Sequence, residues 1–369
     1  MKFQLETIGL PTAYNAIVAM RVLYDGWPLI YAPLSSAAWH LRTLLTIGAG
    51  MIEPVLALPT EPQAAPLGAE MLTTYHHTHD RGAWVQDILP RLALENGAGA
   101  IHTTNPSASL FGKVPTLVSP AELERRQSGS RWKAALGRGG LARAQILWPS
   151  DLPAPRLPGA VRRLPPVVHA EFQIAAAQAS ASRTRLPEEF ILVHGLPDER
   201  SALSLLESWT WAAASIGEFY PLVIVDLDEA TARLVQEQLP RFHVENSVRI
   251  LNAVQPQELA GIYQACTALV HLGQPAPWGN PLRAALAGGK AVVAQREAHT
   301  EAIVGAAAYL TPPEDLRAFG AAMITVVVDE NAREKLEDAA RQRAAHWKAD
   351  AFKGELLVIY RELASRARH

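Results

Sequence analysis

Four short, uninterrupted apolar runs constrain this chain more than any other feature: "FILVHG" (190–195), "PLVIVDLD" (221–228), "ALVHLG" (268–273) and "KAVVAQ" (290–295). Each is far too short to cross a membrane, and none shows the polar alternation of a strand with one wet face. They read as strands buried on both faces. Helical patterns stand between and beside them: "SALSLLESWTWAAASIG", "EATARLVQEQL", "PQELAGIYQAC" and "PLRAALAGG". "SVRILNAV" and "AAYLTP" add two strands, and closing helices follow from Pro313. Such alternation specifies an α/β unit with a parallel sheet and helices on both faces, a Rossmann-like arrangement.

The first half alternates less cleanly. A strand is expected near "KFQLE", a helix over "AYNAIVAMRVLYDG" (13–26) and a strand over "PLIYAP" (28–33). A helix over "AAWHLRTLLTIG", a strand "EPVLALP", a helix "WVQDILPRLALEN" and strands "AIHTT" and "PTLVS" follow. The proline-dense "LPAPRLPGAVRRLPPVVHAEF" (152–172) reads as an extended connector between two units. At 369 residues the chain exceeds what one core usually supports. The expected division is an N-terminal unit over 1–170, a C-terminal unit over 171–349 and a terminal helix over 350–369. Two Rossmann-like units joined this way leave a cleft between the carboxyl ends of their strands, where such folds bind ligands.

Composition narrows the function classes. With 49% apolar and 19% charged residues the chain suits a soluble, well-cored protein. A net charge of −2 supplies no drive toward nucleic acid, which is set aside as a partner. Cys266, in "IYQACTALV", reads as a buried structural thiol. The opening residues lack an apolar export core, so a cytoplasmic location is expected. The stretch 123–145, dense in Arg and Lys and carrying Trp132, offers peripheral contact with an anionic membrane or acceptor; the plainer reading is a solvated helix. His76, His77, His79 and Asp80 crowd together, but no cysteine or distant histidine pair completes a zinc set, so no metal is expected. They read as a polar loop on the cleft rim, where Arg81 and His79 meet a ligand. There is no G-x-S-x-G elbow, no cysteine placed for catalysis and no P-loop.

"ILVHGLPDERSALSLLESW", "SVRILNAVQPQELAGIYQACTALVHLG", "APWGNPLRAALAGGKAVVA" and "EAIVGAAAYLTPPED" resemble, in order and spacing, the retaining GT-B glycosyltransferases of family 4. "AIHTTNPSASLFGKVPTLVS" and "LPPVVHAEF" extend the resemblance loosely into the first half. The resemblance implies a GT-B fold, two facing Rossmann-like domains with a cleft between them, and a last helix that packs back on the first domain. It also implies where polar groups ought to be. The family pattern E-G-F-G-x-P-x-x-E falls on residues 276–284, and its two glutamates become Ala276 and Ala284. The Arg and Lys that face the nucleotide are represented by Arg200 alone, with Leu196 near the arginine position. The glycine-rich turn before the first helix becomes "GLPTAYN", with Pro11 and Thr12, and the His-Asp after "PTLV" becomes Ala121-Glu122.

The remaining frame supplies candidates. Trp278 takes the aromatic position, and Asn280, Pro281 and Gly288-Gly289 start and stop a helix. That helix would offer N–H groups near Leu282 to Ala284 to a diphosphate. Donor-contacting candidates are therefore Arg200, Gly279, Asn280, Leu282 and Arg283, with Trp278, Glu122, Arg81 and His79 on the cleft; none is assigned a catalytic role. Two readings stay open. One is a non-catalytic member that binds a glycan or partners an active glycosyltransferase or a second copy of itself. The other is an active transferase passing sugar from a nucleotide-sugar ligand to a glycan or lipid acceptor through an atypical site. No cofactor is implied otherwise.

Overall fold

The computed structural model describes residues 20–48, 50, 52–61, 71–121, 131–153, 155–173 and 186–366. "KFQLE", "GLPTAYN" and Glu122 lie outside them. The first sheet has seven strands in the order β3-β2-β1-β4-β5-β6-β7. These are β1 (Arg21–Asp25), β2 (Glu53–Leu58), β3 (Leu72–Tyr75), β4 (Ala100–Thr103), β5 (Thr116–Val118), β6 (Gln145–Pro149) and β7 (Ala160–Leu164), paired in parallel throughout. Helices α1 (Trp27–Tyr31), α2 (Ser36–Gly48), α3 (Arg81–Ala83), α4 (Leu89–Glu95) and α5 (Arg131–Arg143) belong to this half, with a π-helical turn at Trp84–Ile88 joining α3 to α4.

Two expectations for this half are corrected. Residues 21–25 are an inner strand, not the end of a helix: Val22, Leu23 and Tyr24 are fully buried, with Leu23 in register between Val55 and Ile101. An apolar run broken only by Arg21, such as "AIVAMRVLY", fits a buried helix and a buried strand equally well. The "PLIYAP" strand is instead the short helix α1, because Pro28 sits in its first turn, where a missing N–H costs nothing. Between the two, the Gly26 N–H reaches Ala57 O at 2.8 Å, and a Cβ on Gly26 would lie 2.5 Å from that same oxygen. The connector over 152–172 is partly sheet, since β7 pairs with β6 from Gln145↔Ala160 to Pro149↔Leu164.

The second sheet has the order β10-β9-β8-β11-β12-β13, again parallel. Its strands are β8 (Ile191–His194), β9 (Leu222–Val225), β10 (Val248–Ile250), β11 (Ala268–His271), β12 (Ala291–Gln295) and β13 (Ala308–Thr311). The helices are α6 (Glu199–Ile216), α7 (Glu229–Phe242), α8 (Pro256–Ala265), α9 (Pro281–Ala287), α10 (Ala298–Val304), α11 (Leu316–Val328) and α12 (Glu330–Ala344). The apolar runs read from the sequence form β8, β9, β11 and β12, buried along their whole lengths. Separate apolar clusters cover the two faces of this sheet, as a doubly wound fold requires.

The last helix, α13 (Ala349–Arg366), returns to the first half and packs on α2, β4 and β7. Phe352, Leu356, Ile359, Tyr360 and Leu363 are buried in one cluster with Val22, Tyr24 and Leu41. Arg162 on β7 adds a 3.0 Å pair with Glu362.

Candidate functional site

A cleft of about 1480 Å³ lies between the two halves, built largely from the segments that leave the carboxyl ends of the strands. Beyond β1 the first half contributes Trp27, Tyr31, Ser35 and Ser36; beyond β4 and β5 it contributes Asn105, Ser107 and Ala121. Asp80, Arg81, Gln86 and Asp87 come from the α3 region, and Leu136, Gly137 and Arg138 from α5. The basic stretch 123–145 thus turns part of its described portion toward the cleft. The second half contributes Gly195–Pro197 after β8, Asp226–Asp228 after β9, His271 and Leu272 at the end of β11, and Gln274–Ala276 with Pro281.

The stretch 276–284 behaves differently from a row of donor contacts. Ala276 lines the cleft, but Ala284 is buried in α9. Asn280 caps that helix with its own side chain: Oδ1 accepts from Arg283 N at 3.0 Å, its carbonyl accepts from Ala284 N at 3.3 Å, and Nδ2 donates to Ala276 O at 2.8 Å. Pro281 has no N–H, so most of the donors expected at this helix start are already engaged. Leu282 is fully buried.

Arg283 is 1% exposed and is absent from the cleft wall. Its guanidinium donates to both carboxylate oxygens of Asp151 at 2.7 and 2.9 Å and lies 5.0 Å from the Trp347 ring centroid. A guanidinium held by a bidentate carboxylate under an aromatic face is committed to that geometry.

Trp278 is fully buried between the halves. Its Nε1–H donates to Leu147 O at 3.0 Å, its ring stacks on His40 at 4.8 Å, and its edge meets Phe352 at 5.5 Å. Gly279, at φ +62, passes so close to α2 that a Cβ would sit 2.1 Å from Ser36 O. Trp278, Gly279 and Arg283 here join the two halves together.

The other candidates lie on the rim or outside it. Arg200 is exposed on the first turn of α6 and is not part of the cleft wall, whereas Leu196 is. Arg81 lines the cleft. His79 stands exposed at its edge, with Nδ1 2.9 Å from Tyr31 Oη. His76 and His77 turn to other partners, Arg91 and Thr60. The turn expected at "GLPTAYN" lies outside the described residues; β1 ends at Asp25, and the loop facing the second half is 32–36.

Sequence reasoning missed Tyr31, Asp87, Arg138, Asp226, Asp228 and His271. The signal for Asp226 and Asp228 was plain, because they follow the apolar run "LVIV" at a strand's carboxyl end. Asp228 caps α7, accepting from Thr231 N and Oγ1 at 2.8 and 3.0 Å. Asp226 Oδ2 lies 3.7 Å from His194 Nε2, which itself donates to Leu34 O at 3.1 Å. Burial pushes the His271 imidazole down to about 4, with His194 adding to the shift, so His271 is neutral near pH 7. Among the described residues the second-half wall carries two carboxylates and no Lys or Arg; both guanidinium groups of the cleft, Arg81 and Arg138, lie on the first half.

Comparison with known proteins accords with this geometry. Residues 187–343, from just before β8 into α12, match the family described as Glycosyl transferases group 1. Solved structures align over nearly the whole chain. Sucrose-phosphate synthase from Thermosynechococcus elongatus is 17% identical, covering 94% of this chain and 100% of its own, with a TM-score of 0.68. HepE of Anabaena, in complex with UDP-glucose, is 13% identical over 94% of this chain and 100% of its own, TM-score 0.70. WaaG, a glycosyltransferase involved in lipopolysaccharide biosynthesis, is 13% identical over 92% and 99%, TM-score 0.69. The fold is GT-B. No curated protein sequence matches the chain. No helix among the described residues is long and apolar enough to cross a membrane.

Proposed function

We propose that this GT-B chain holds a glycan in its interdomain cleft and does not itself transfer sugar from a nucleotide donor, leaving that step to a glycosyltransferase that it accompanies. The carrying observation is the second-half wall: among the described residues, Asp226, Asp228 and Ala276 face the cleft, no Lys or Arg does, and Arg283 is sequestered by Asp151. A diphosphate placed against that wall would leave water for two carboxylates. Like charges brought together there repel, most strongly at partly buried Asp226 and less at exposed Asp228, where solvent screens them. It would also forgo the charge-assisted hydrogen bonds, about 1.5–3 kcal/mol each, that a phosphate site supplies.

Titration calorimetry with UDP, GDP and UDP-glucose, run beside a donor-turnover assay, tests this reading. No saturable heat at millimolar nucleotide and no released nucleoside diphosphate are expected. Micromolar affinity for one nucleotide sugar with turnover would overturn it in favour of an active transferase. That second reading draws on Asp226, a cleft carboxylate positioned by a strand end, and an Asp226→Asn variant that abolished turnover would establish it.

A further inference from the structure

Three aromatic rings run from the core of the first half to the cleft. Trp84 is fully buried, and its Nε1–H donates to Asp25 Oδ1 at 2.8 Å. Trp27, 9% exposed, packs on it with ring centroids 5.9 Å apart. Tyr31 packs on Trp27 at 4.5 Å and leaves 42% of its surface exposed where it lines the cleft. An exposed aromatic side chain ordinarily swings freely. This one does not, because Tyr31 Oη donates to Thr78 O at 3.0 Å and lies 2.9 Å from His79 Nδ1. With its hydroxyl proton given to Thr78, Oη accepts from His79, which therefore carries its proton on Nδ1.

A ring held by its neighbour and by two hydrogen bonds loses little freedom when a ligand covers it. A pyranose is such a ligand: one face of the ring is a patch of C–H bonds that stacks on an aromatic, and its edge carries hydroxyls. Asp87 and Arg138, both exposed in the same cleft, offer a carboxylate acceptor and a planar donor to those hydroxyls. Charge decides which pyranose. Among the described residues the cleft wall holds four carboxylates, Asp80, Asp87, Asp226 and Asp228, against the two guanidinium groups of Arg81 and Arg138. That balance disfavours phosphorylated sugars and uronates.

Resting on the glycan reading above, we infer that the first-half wall is a stacking subsite for a neutral pyranose of a glycan strand, with Tyr31 as its platform and His79 as the positioning residue that holds the ring. The test is an array carrying neutral hexose oligomers, uronate-containing glycans and phosphate-bearing glycans, with wild-type protein, Tyr31→Ala, Tyr31→Phe and His79→Ala. UDP-glucose turnover is measured in parallel, and thermal unfolding checks that each variant folds. Wild type should bind neutral oligomers in preference to the acidic classes. Tyr31→Ala should weaken that binding about tenfold or more, while Tyr31→Phe, which keeps the ring, stays within about threefold. His79→Ala, which removes one of the two hydroxyl contacts that Tyr31→Phe removes together, should stay within the same threefold.

Neutral-glycan binding unchanged in Tyr31→Ala, or confined to acidic glycans, overturns the subsite and leaves the glycan reading standing. UDP-glucose turnover by the wild type overturns the glycan reading itself. Absence of all glycan binding overturns both.

Discussion

Tyr360 Oη, on the last helix, lies 2.8 Å from Tyr24 Oη on strand β1 inside the first sheet, 336 residues earlier in the chain. The contact continues through His102, whose Nδ1 is 2.7 Å from Tyr360 Oη and whose Nε2 is 2.6 Å from Ser119 Oγ. Burial pushes the His102 imidazole down to about 3, so it takes part as a neutral ring. A helix that begins beyond the second half is thereby tied into the core of the first. Tyr360→Phe keeps the ring and deletes its hydroxyl, leaving two buried polar groups short of a partner. It should destabilise the protein by about 1–3 kcal/mol, read as a lowered urea midpoint, with the helix content by circular dichroism unchanged.

The Arg283–Asp151 pair makes a second tie between the halves. Arg283 is 1% exposed and the Asp151 side chain 17% exposed, so removal of one partner strands a mostly buried charge. Arg283→Met should cost about 3–5 kcal/mol, and Arg283→Lys should recover little, because an ammonium cannot donate along both carboxylate oxygens in a fork. Glycan binding should be the same in both variants as in wild type, since neither residue lines the cleft. A loss of glycan affinity in Arg283→Lys, at equal stability, would show that the guanidinium reaches a ligand after all.

Acid should destabilise the fold before most carboxylates titrate. His102, His169 and His271 are buried, with their imidazoles pushed down to about 3, 4 and 4. Below an unfolded value of about 6.5 the unfolded chain binds a proton at each of them that the folded chain refuses until its lower value is reached. The unfolded state therefore holds more protons, and stability falls as pH falls from about 6.5 toward 4. The limiting slope is about 1.4 kcal/mol per pH unit for each histidine. Urea midpoints between pH 7 and pH 5 measure this, and His271→Gln should flatten the curve by the equivalent of one proton. An unchanged slope would show that His271 protonates in the folded protein.

How much of this was legible in the sequence depends on the range of the forces involved. Strands β8, β9, β11 and β12 declare themselves because a strand buried on both faces must be apolar at every position. The Asn280 cap and the Pro281 start of α9 are equally local, and both stand where the sequence places them. Residues 21–25 were misread as helix because burial erases the periodicity that separates helix from strand. The roles of Arg283 and Trp278 were out of reach for another reason. The Arg283 carboxylate partner is 132 residues upstream, and the Trp278 acceptor is Leu147 O, 131 residues away, so no spacing within 276–284 shows that these side chains face a neighbour and not the cleft. Asp226 and Asp228 were legible in principle, by the rule that ligands gather at strand carboxyl ends.

Ala276 and Ala284 give the final prediction, and the structure separates them. Ala276 is half-buried on the cleft wall, so a glutamate there can direct its carboxylate into the cleft; Ala276→Glu should fold with stability within about 1 kcal/mol of wild type. Ala284 is 5% exposed in α9, in the apolar cluster that contains Trp39, Trp148 and Leu282. A carboxylate there either ionises without solvent or takes up a proton at neutral pH, and Ala284→Glu should cost about 2–5 kcal/mol in the urea midpoint. The double variant should carry the stability loss of Ala284→Glu and still release no UDP from UDP-glucose. A carboxylate at position 276 enters the cleft, but a diphosphate would still face Asp226 and Asp228 with Arg283 held by Asp151. Turnover by the double variant at normal stability would mean that the α9 region repacks to reopen a donor site, and the reading of this cleft as glycan-binding would fall with it.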